Sequence, residues 1–348
     1  MKKKIIALSS VFVIFVTYFF INYFIENKKE NMLVSGTINK KINPIGRLVG
    51  LKMYTRGVLV IGMSEIDGAD GKTYKPYEGT DIKEGDFIRK INGVEINNTD
   101  ELTTIVNSSN GNEIEITAEK EETTYTCKIK PVKTRDGNYM LGLWIRDAAC
   151  GIGTLTYYDK STKSFGTLGH GLIDVDTGKI LNIKNGEIVT SKIVSIVKAE
   201  KDKTGEIRGI IDDGIVIGNI EKNSKIGVYG KIANENYINE ISLPEVSVAS
   251  RKEIKEGKAK IICQLENDEE PKEYNIEIKK VYKSNSKNNK SMLIKVTDKN
   301  LIDKTGGIIP GMSGTPIIQN GKFIGAITNV LVKNPEYGYA IFADLMLQ

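Results

Sequence analysis

From Leu141 to its last residues the chain is a succession of short runs rich in Val, Ile and Thr, interrupted by glycines. No segment here has the length and 3.6-residue periodicity of a long amphipathic helix. Many short strands over about 200 residues predict a pair of β-barrels or a β-sandwich. The runs that carry this prediction are residues 152–158, 215–218, 273–278, 292–296, 316–318 and 323–328.

The N-terminal end predicts a membrane anchor. Lys2, Lys3 and Lys4 precede an uncharged run from Ile5 to Ile25, which as a helix would span about 31 Å, the thickness of a bilayer's hydrocarbon core. The alternative is a cleaved signal peptide, but the run is longer than the usual apolar region and no small-x-small cleavage site follows it. We therefore expect residues 1–25 to be a cytoplasmic Lys cluster and a signal-anchor helix. Residues 26–44 are then a linker, and everything beyond is extracytoplasmic.

Composition excludes several classes of function. The chain has 49 Lys and Arg against 44 Asp and Glu, a net charge of +5, and three of these positive charges precede the predicted anchor. The remaining basic residues alternate with acidic ones, which argues against nucleic-acid binding. One histidine and three separated cysteines, Cys127, Cys150 and Cys263, predict neither a zinc site nor a disulfide framework. We expect no metal and no cofactor.

Residues 45–132 read as a small module of short strands around one helix. Residues 82–93 form a turn and an alternating strand that closes on Asn92-Gly93, a pair that tolerates positive φ and indicates a tight turn. Thr99 or Asp100 would cap a helix, and two alternating strands follow at 113–118 and 123–130. In the second of these, Cys127 falls on the buried face.

This stretch, "IKEGDFIRKINGVEINNTDEL", resembles the PDZ domains attached to bacterial serine proteases. The resemblance implies that a peptide adds as a strand to a sheet edge and that its C-terminal carboxylate sits in a nest of backbone N–H groups. Val49-Gly50-Leu51 resembles the apolar-Gly-apolar loop that forms such a nest. Gly50 and Leu51 are therefore candidate peptide contacts. The alternative is that Gly50 only makes a turn.

The only histidine, His170, lies in Gly166-Thr167-Leu168-Gly169-His170-Gly171. The glycines on both sides give close access to the imidazole, so His170 is the one candidate for histidine-dependent acid–base chemistry. A histidine with its hydrogen bonds satisfied in a loop is the alternative.

A second glycine-rich segment, residues 306–316, contains Gly311-Met312-Ser313-Gly314 followed by Thr315-Pro316 and an apolar strand. A serine nucleophile needs an exposed hydroxyl and amide groups aimed at the developing oxyanion. The segment resembles the nucleophile loop of chymotrypsin-like proteases, and by that resemblance the N–H groups of Gly311 and Ser313 form the oxyanion hole. A lipase elbow fits less well, since position 315 is Thr and no strand–elbow–helix pattern surrounds the serine. The remaining alternative is an ordinary Gly-rich turn.

The residues alone leave the acid of a catalytic triad open, because 44 carboxylates compete for the part. Asp298 follows an apolar strand and precedes the serine, Asp174 and Asp176 follow the histidine closely, and Asp212-Asp213 is a third choice. Only the distance to the imidazole separates them.

In order along the chain, the anchor, the PDZ-like module, "FGTLGHGLIDVDTG", "VTDKNLIDKTGG" and "GMSGTPIIQNGKFIGAITNV" resemble the stage IV sporulation protein B (SpoIVB) peptidase family. The resemblance implies a mainly β chain with a transmembrane helix, a PDZ domain and, over residues 140–348, a chymotrypsin-like double β-barrel. It implies a serine endopeptidase with the triad His170, Asp298 and Ser313. An acid this near the serine in sequence is unusual for chymotrypsin-like enzymes, which place it in the first barrel.

The same resemblance implies a place and partners. The family acts in the space between the two membranes around a developing spore, anchored in the forespore inner membrane. It cuts itself near its N-terminus, and it cuts a membrane-bound regulator of an intramembrane protease, which leads to activation of a late mother-cell sigma factor.

Two other functions compete with this hypothesis. One is a membrane-tethered PDZ adaptor whose barrel is inactive. The other is a quality-control protease of the HtrA type, although that relative usually carries its PDZ domain after the protease domain.

Overall fold

A computed structural model describes residues 40–120, 123–241, 243–267, 270–282 and 289–347. The described chain is mainly β. Its first strands are β1 (Lys41–Met63), β2 (Ile66–Asp67), β3 (Thr73–Tyr74), β4 (Phe87–Ile91), β5 (Val94–Glu95), β6 (Ile114–Lys120), β7 (Thr123–Ile129), β8 (Val132–Lys133), β9 (Tyr139–Met140) and β10 (Leu143–Asp159). These are followed by β11 (Ser164–Thr167), β12 (Ile183–Val197), β13 (Glu206–Ser224), β14 (Gly227–Ile232), β15 (Val246–Ser247), β16 (Gly257–Cys263), β17 (Lys272–Val281), β18 (Met292–Val296), β19 (Pro316–Gln319), β20 (Lys322–Val330) and β21 (Tyr337–Phe342). The helices are α1 (Thr99–Ser108), α2 (Glu235–Ile241), α3 (Lys299–Thr305) and α4 (Ala343–Met346).

Six strands close the first barrel. The first half of β1 pairs with β10 on one side and with β12 on the other, and the sheet continues from β10 through β11, β14 and β13 to β12. Alternate residues of these strands point inward, and their apolar side chains, such as Leu51, Leu155 and Ile188, form a core without solvent exposure.

The second barrel closes on its own strands in the order β16, β17, β18, β21, β20, β19. Its core is the largest apolar cluster of the described chain and includes Ile276, Ile294 and Ile317. The two closed rings confirm the prediction of paired barrels over the alternative of a sandwich, and each apolar run named from the sequence lies within a strand.

The N-terminal module shares two strands with the first barrel. The second half of β1 pairs with β4 and with the first residues of β10, and β6 and β7 extend the sheet. Asn92 and Gly93 have φ of 50° and 79°, as expected for the tight turn between β4 and β5. The cap of α1 is Asn98, whose side chain accepts from the Glu101 N–H, one residue before the predicted cap.

The boundary of this module differs from the predicted residue 45. Because β1 is one strand of 23 residues, its first part, through Tyr54, lies in the first barrel between β10 and β12. The strand enters the module only where it pairs with β4, at Val58 and Leu59. At the other end, the module takes its last strand from the start of β10, beyond the predicted residue 132.

No helix within the described ranges is long and apolar enough to cross a membrane. The predicted anchor at residues 5–25 lies outside those ranges.

Candidate active site

His170 and Ser313 line the same pocket, of about 310 Å³, between the two barrels. The first barrel contributes Ile152, Leu168, His170 and Leu172, and the second contributes Ile308, Ile309, Pro310, Gly311, Ser313, Thr328, Asn329 and Val330. Apart from His170, Ser313, Thr328 and Asn329, these residues have apolar side chains or none, so the pocket presents mainly apolar walls next to a hydroxyl and an imidazole.

The His170 ring is held by its neighbour in the chain. Its Nδ1 lies 2.9 Å from the carbonyl oxygen of Gly171. Since a carbonyl oxygen can only accept, Nδ1 carries the proton of the neutral ring and Nε2 has a free lone pair. This is the tautomer that a general base requires, and here a backbone carbonyl makes the contact that a carboxylate makes in a triad.

The loop that carries Ser313, residues 309–315, has every carbonyl occupied. Pro310 O accepts from the Ile207 N–H at 2.9 Å, and the carbonyls of Ile309 and Met312 accept from amides of the loop itself. Three more carbonyls, at Gly311, Ser313 and Gly314, accept from threonines of β10, and Thr315 O accepts from the Ile327 N–H at 3.0 Å.

The amides of the same loop divide into two groups. Those of Met312, Gly314 and Thr315 donate to backbone carbonyls. Those of Gly311 and Ser313 donate in no backbone hydrogen bond within the described residues. Because C=O and N–H point in opposite directions from a trans peptide, anchoring Pro310 O on Ile207 turns the Gly311 N–H away from Ile207. The Ile309 amide is likewise without a backbone acceptor within the described residues, and the amides of Gly311 and Ser313 are the two predicted as oxyanion donors.

The Ser313 hydroxyl does not donate to His170 in this conformation. It donates to the carbonyl oxygen of Thr328 at 2.9 Å, across the same pocket. The side chain is half-buried, and rotation about its Cα–Cβ bond is the movement that would release the hydroxyl.

The structure does not bring Asp298 to the His170 ring. Asp298 is the N-cap of α3, where one carboxylate oxygen accepts from the N–H groups of Asn300 and Leu301. The other oxygen accepts from the backbone and side-chain amides of Asn275 at 3.2 Å. The described contacts of this carboxylate are thus all with Asn275 and the start of α3.

The alternative acids near the histidine are also engaged elsewhere. Arg146 of β10 pairs with Asp174 at 2.5 Å and with Asp176 at 2.8 Å. Asp174 is only 2% exposed. Burial by itself raises the pKa of Asp174, but hydrogen bonds from Thr177 and the charge of Arg146 outweigh it, so that its pKa lies below the usual range. Asp212 and Asp213 lie within β13.

Gly50 and Leu51 do not lie in a loop. Both are in β1, where Gly50 is opposite Ile152 on one side and Val189 on the other. Leu51 has no solvent exposure, and a Cβ at Gly50 would come within 2.9 Å of Ile211. With a strand on each side, this segment has no open edge for a peptide carboxylate, in contrast to the predicted contact.

A groove that the sequence reasoning missed lies in the N-terminal module. It has a volume of about 670 Å³ and runs between α1, at Leu102 and Val106, and residues 139–145. Residues 143–146 pair with β1 on one side, and no described strand pairs with their other side. The available signal was Leu141-Gly142-Leu143, a second apolar-Gly-apolar sequence just beyond the predicted end of the module.

Parts of the chain are similar to known proteins. The sequence model of the SpoIVB peptidase family, S55, matches residues 137–347, and none of the curated proteins searched matches the chain. Among solved structures, the PDZ domain of an SdrC-like protein from Listeria monocytogenes is 19% identical, covering 26% of this chain and 87% of that one, with a TM-score of 0.21.

Two proteases are also similar. The active form of the Rv3671c protease from M. tuberculosis is 11% identical over 71% of this chain and 83% of that one, with a TM-score of 0.30. The HtrA-type protease AlgW, solved with a tripeptide, is 15% identical over 57% and 54%, with a TM-score of 0.33. The family match covers more than half of the chain and contains both His170 and Ser313, and on that ground the chain belongs to the SpoIVB peptidase family S55.

Proposed function

We propose that the chain is a serine endopeptidase in which Ser313 is the nucleophile and His170 the general base. The observation that supports this most directly is the hydrogen bonding of the Ser313 loop. All of its carbonyls from 309 to 314 are occupied, while the amides of Gly311 and Ser313 are left without a backbone acceptor. Both residues line the pocket that contains His170, where free amides can bind an oxyanion.

The reaction begins when the Ser313 hydroxyl leaves Thr328 O and donates to Nε2 of His170. As Oγ attacks a peptide carbonyl, His170 takes the proton, and the amides of Gly311 and Ser313 bind the oxyanion. Each such donor contributes about 3 kcal/mol, by comparison with subtilisin. His170 then protonates the leaving amine, and water releases the acyl group by the reverse sequence.

Asp298 stays a prediction as the acid that orients His170. In the conformation described, the Gly171 carbonyl contacts Nδ1, so the proposal needs only His170 and Ser313. A movement of α3 would be required to bring Asp298 to the ring.

The groove between α1 and residues 139–145 is proposed as the PDZ peptide site in place of Gly50 and Leu51. Its open strand edge fits addition of an extended peptide, and its floor is apolar at Leu102 and Val106. The ligand is a peptide C-terminus or an extended segment of a partner.

Membership of the family supports a proposal for the biological setting. We propose a membrane-anchored enzyme with its barrels outside the cytoplasm, in the space between the two spore membranes. It cuts its own N-terminal region and a membrane-bound regulator of an intramembrane protease. An adaptor with an inactive barrel is the second candidate, because the Ser313 hydroxyl donates to Thr328 O rather than to His170.

A fluorophosphonate probe separates the two candidates, because it reacts only with an activated serine. We expect the full chain to be labelled, and to shorten from its N-terminal end on a gel. Ser313→Ala and His170→Ala should lower turnover by about 10⁶-fold, as in other triads. Absence of labelling in the parent, or equal shortening of both variants, would contradict the proposal. Digestion of a panel of unfolded proteins would indicate quality control instead of a dedicated regulator.

A further inference from the structure

The side chain of Thr154 connects the first barrel to the backbone of the Ser313 loop. Its Oγ1 donates to Gly311 O at 2.8 Å, and its backbone N–H donates to Ser313 O at 3.0 Å. Two residues further along β10, Thr156 Oγ1 donates to Gly314 O at 2.6 Å. Both threonines lie on one face of the strand, since side chains alternate, and Leu155 between them enters the core of the first barrel.

Thr154 is itself held firmly. Its carbonyl accepts from Thr167 Oγ1 at 2.6 Å, it pairs with Leu48 of β1, and it is only 3% exposed. Because the Thr154 side chain is fixed in this way, it restricts the position of the Gly311 carbonyl that it binds.

Gly311 is the residue whose backbone conformation has to be restricted. Its φ is +100°, a conformation that glycine adopts easily but also leaves easily, because many alternatives are open to it. The peptide before Gly311 is anchored through Pro310 O on Ile207, and the peptide after it through Gly311 O on Thr154. With both peptides fixed, the Gly311 N–H has one direction. Without the Thr154 hydroxyl, the second peptide is held only by the Met312 N–H bond to Ile309 O, and the backbone of Gly311 is less restricted.

We infer that Thr154 is a positioning residue for catalysis, which holds Gly311 in the conformation that presents its amide to the oxyanion. The inference rests on the proposed serine peptidase activity. Thr154 does not touch the reacting atoms but acts through Gly311.

Thr154→Val tests the inference, because it keeps the branched shape and removes the hydroxyl. The probe is a fluorophosphonate at saturating and subsaturating concentrations with the full chain. In that reaction Ser313 Oγ bonds to phosphorus, fluoride leaves and His170 takes the proton. We expect the maximal rate of labelling to fall about 10–100-fold, less than the 10²–10³-fold that follows removal of an oxyanion donor in subtilisin. The apparent probe affinity should change little.

Two matched variants complete the test. Thr154→Ser keeps the hydroxyl and should restore the rate to near the parent value. Thr156→Val loses a similar buried hydrogen bond, but to Gly314, which follows both oxyanion amides, and should lose less rate than Thr154→Val. Thermal unfolding of each variant gives the folded fraction, to which the rates are normalised.

The outcomes are distinct. A parent that is not labelled contradicts the proposed function. A labelled parent with an unchanged rate in Thr154→Val, or an equal loss in Thr156→Val, overturns the inference. If Thr154→Val does not fold, Thr154→Ala is measured in its place, and failure of both to fold would make Thr154 a structural residue and overturn the inference as well.

Discussion

The two barrels close in different ways, although both have six strands. The second barrel uses only strands of its own, whereas the first shares β1 and β10 with the N-terminal module. The Ser313 loop belongs to the self-contained barrel, yet three of its carbonyls are held by β10 of the other. The second barrel thus carries the proposed nucleophile, while the first barrel holds part of the backbone of its loop.

The largest effect expected is at the contact between the barrels. In Gly311→Ala the new Cβ would come within 2.9 Å of Cβ of Ile207, the residue that anchors Pro310 O, and φ is +100°. We expect the rate of fluorophosphonate labelling to fall about 10²–10³-fold, as for loss of an oxyanion donor.

The matched control is Gly321→Ala. Gly321 has φ of +74° and no atom within 4 Å of an added Cβ, so it should lose about 1–2 kcal/mol of unfolding free energy and keep its labelling rate. Equal labelling rates in Gly311→Ala and Gly321→Ala would mean that the contact of residue 311 with Ile207 does not affect the reaction.

A smaller effect is expected where the first barrel meets the module. Arg146→Gln removes the charge that pairs with Asp174 and leaves a buried carboxylate with fewer partners, so the free energy of unfolding should fall by about 1–3 kcal/mol. Arg208→Gln is the control, because the Arg208–Glu206 pair is exposed and is expected to contribute at most about 1 kcal/mol. Denaturant unfolding of both variants measures the difference. A larger loss of unfolding free energy in Arg208→Gln than in Arg146→Gln would contradict the importance of the Arg146–Asp174 pair.

Within the second barrel, we expect Asp298 to contribute about 1 kcal/mol to the free energy of unfolding. Asp298→Ala removes the cap of α3 and should lower the unfolding free energy by that amount, while Asp298→Asn, an equally good cap, should restore it. If Asp298 acts only as a cap, the Asn variant also keeps the labelling rate. A loss of about 10⁴-fold with unchanged stability would instead identify Asp298 as the acid of a triad.

The smallest effect is confined to acid pH. The pKa of Asp174 in the folded chain lies below its ordinary 3.8, so the folded state favours the charged form. The resulting stabilisation is fully present above the unfolded-state pKa and is lost as pH falls through the lower folded-state value. Thermal unfolding from neutral pH downwards should therefore show a shallower loss of stability below pH 3.8 in Asp174→Asn than in the parent. Parallel curves would contradict this.

Local sequence was sufficient for features that depend on residue type. The Val, Ile and Thr runs with interrupting glycines predicted a pair of barrels or a sandwich, and the single histidine and the Gly-x-Ser-Gly segment predicted the two residues that share the pocket. The turn at Asn92-Gly93 followed from the conformational freedom of its residues.

Features that depend on which residues lie close together in space could not be predicted from local sequence. Val49-Gly50-Leu51 and Leu141-Gly142-Leu143 carry the same local signal, and only the pairing of β1 with β12 places the first of them inside a barrel. Asp298 is a helix cap or a catalytic acid according to what lies beside it, which sequence cannot measure. Thr154 and Thr156 look like ordinary strand residues until their hydroxyls are seen on the carbonyls of another barrel.

The continuity of β10 has a mechanical consequence. An extended backbone is already close to its maximal length, at about 3.3 Å per residue, and cannot stretch. Where β1 and β10 change register at the junction, the extra residues belong to β1, whose Tyr54 and Leu59 face Ala148 and Arg146, while β10 continues without insertion. Trp144 beside the groove and Thr154 on the Ser313 loop therefore lie on one uninterrupted strand, which is paired with β1 on both sides of the register change. The irregularity of the pairing falls on β1, and β10 keeps a direct backbone connection from the groove to the Ser313 loop.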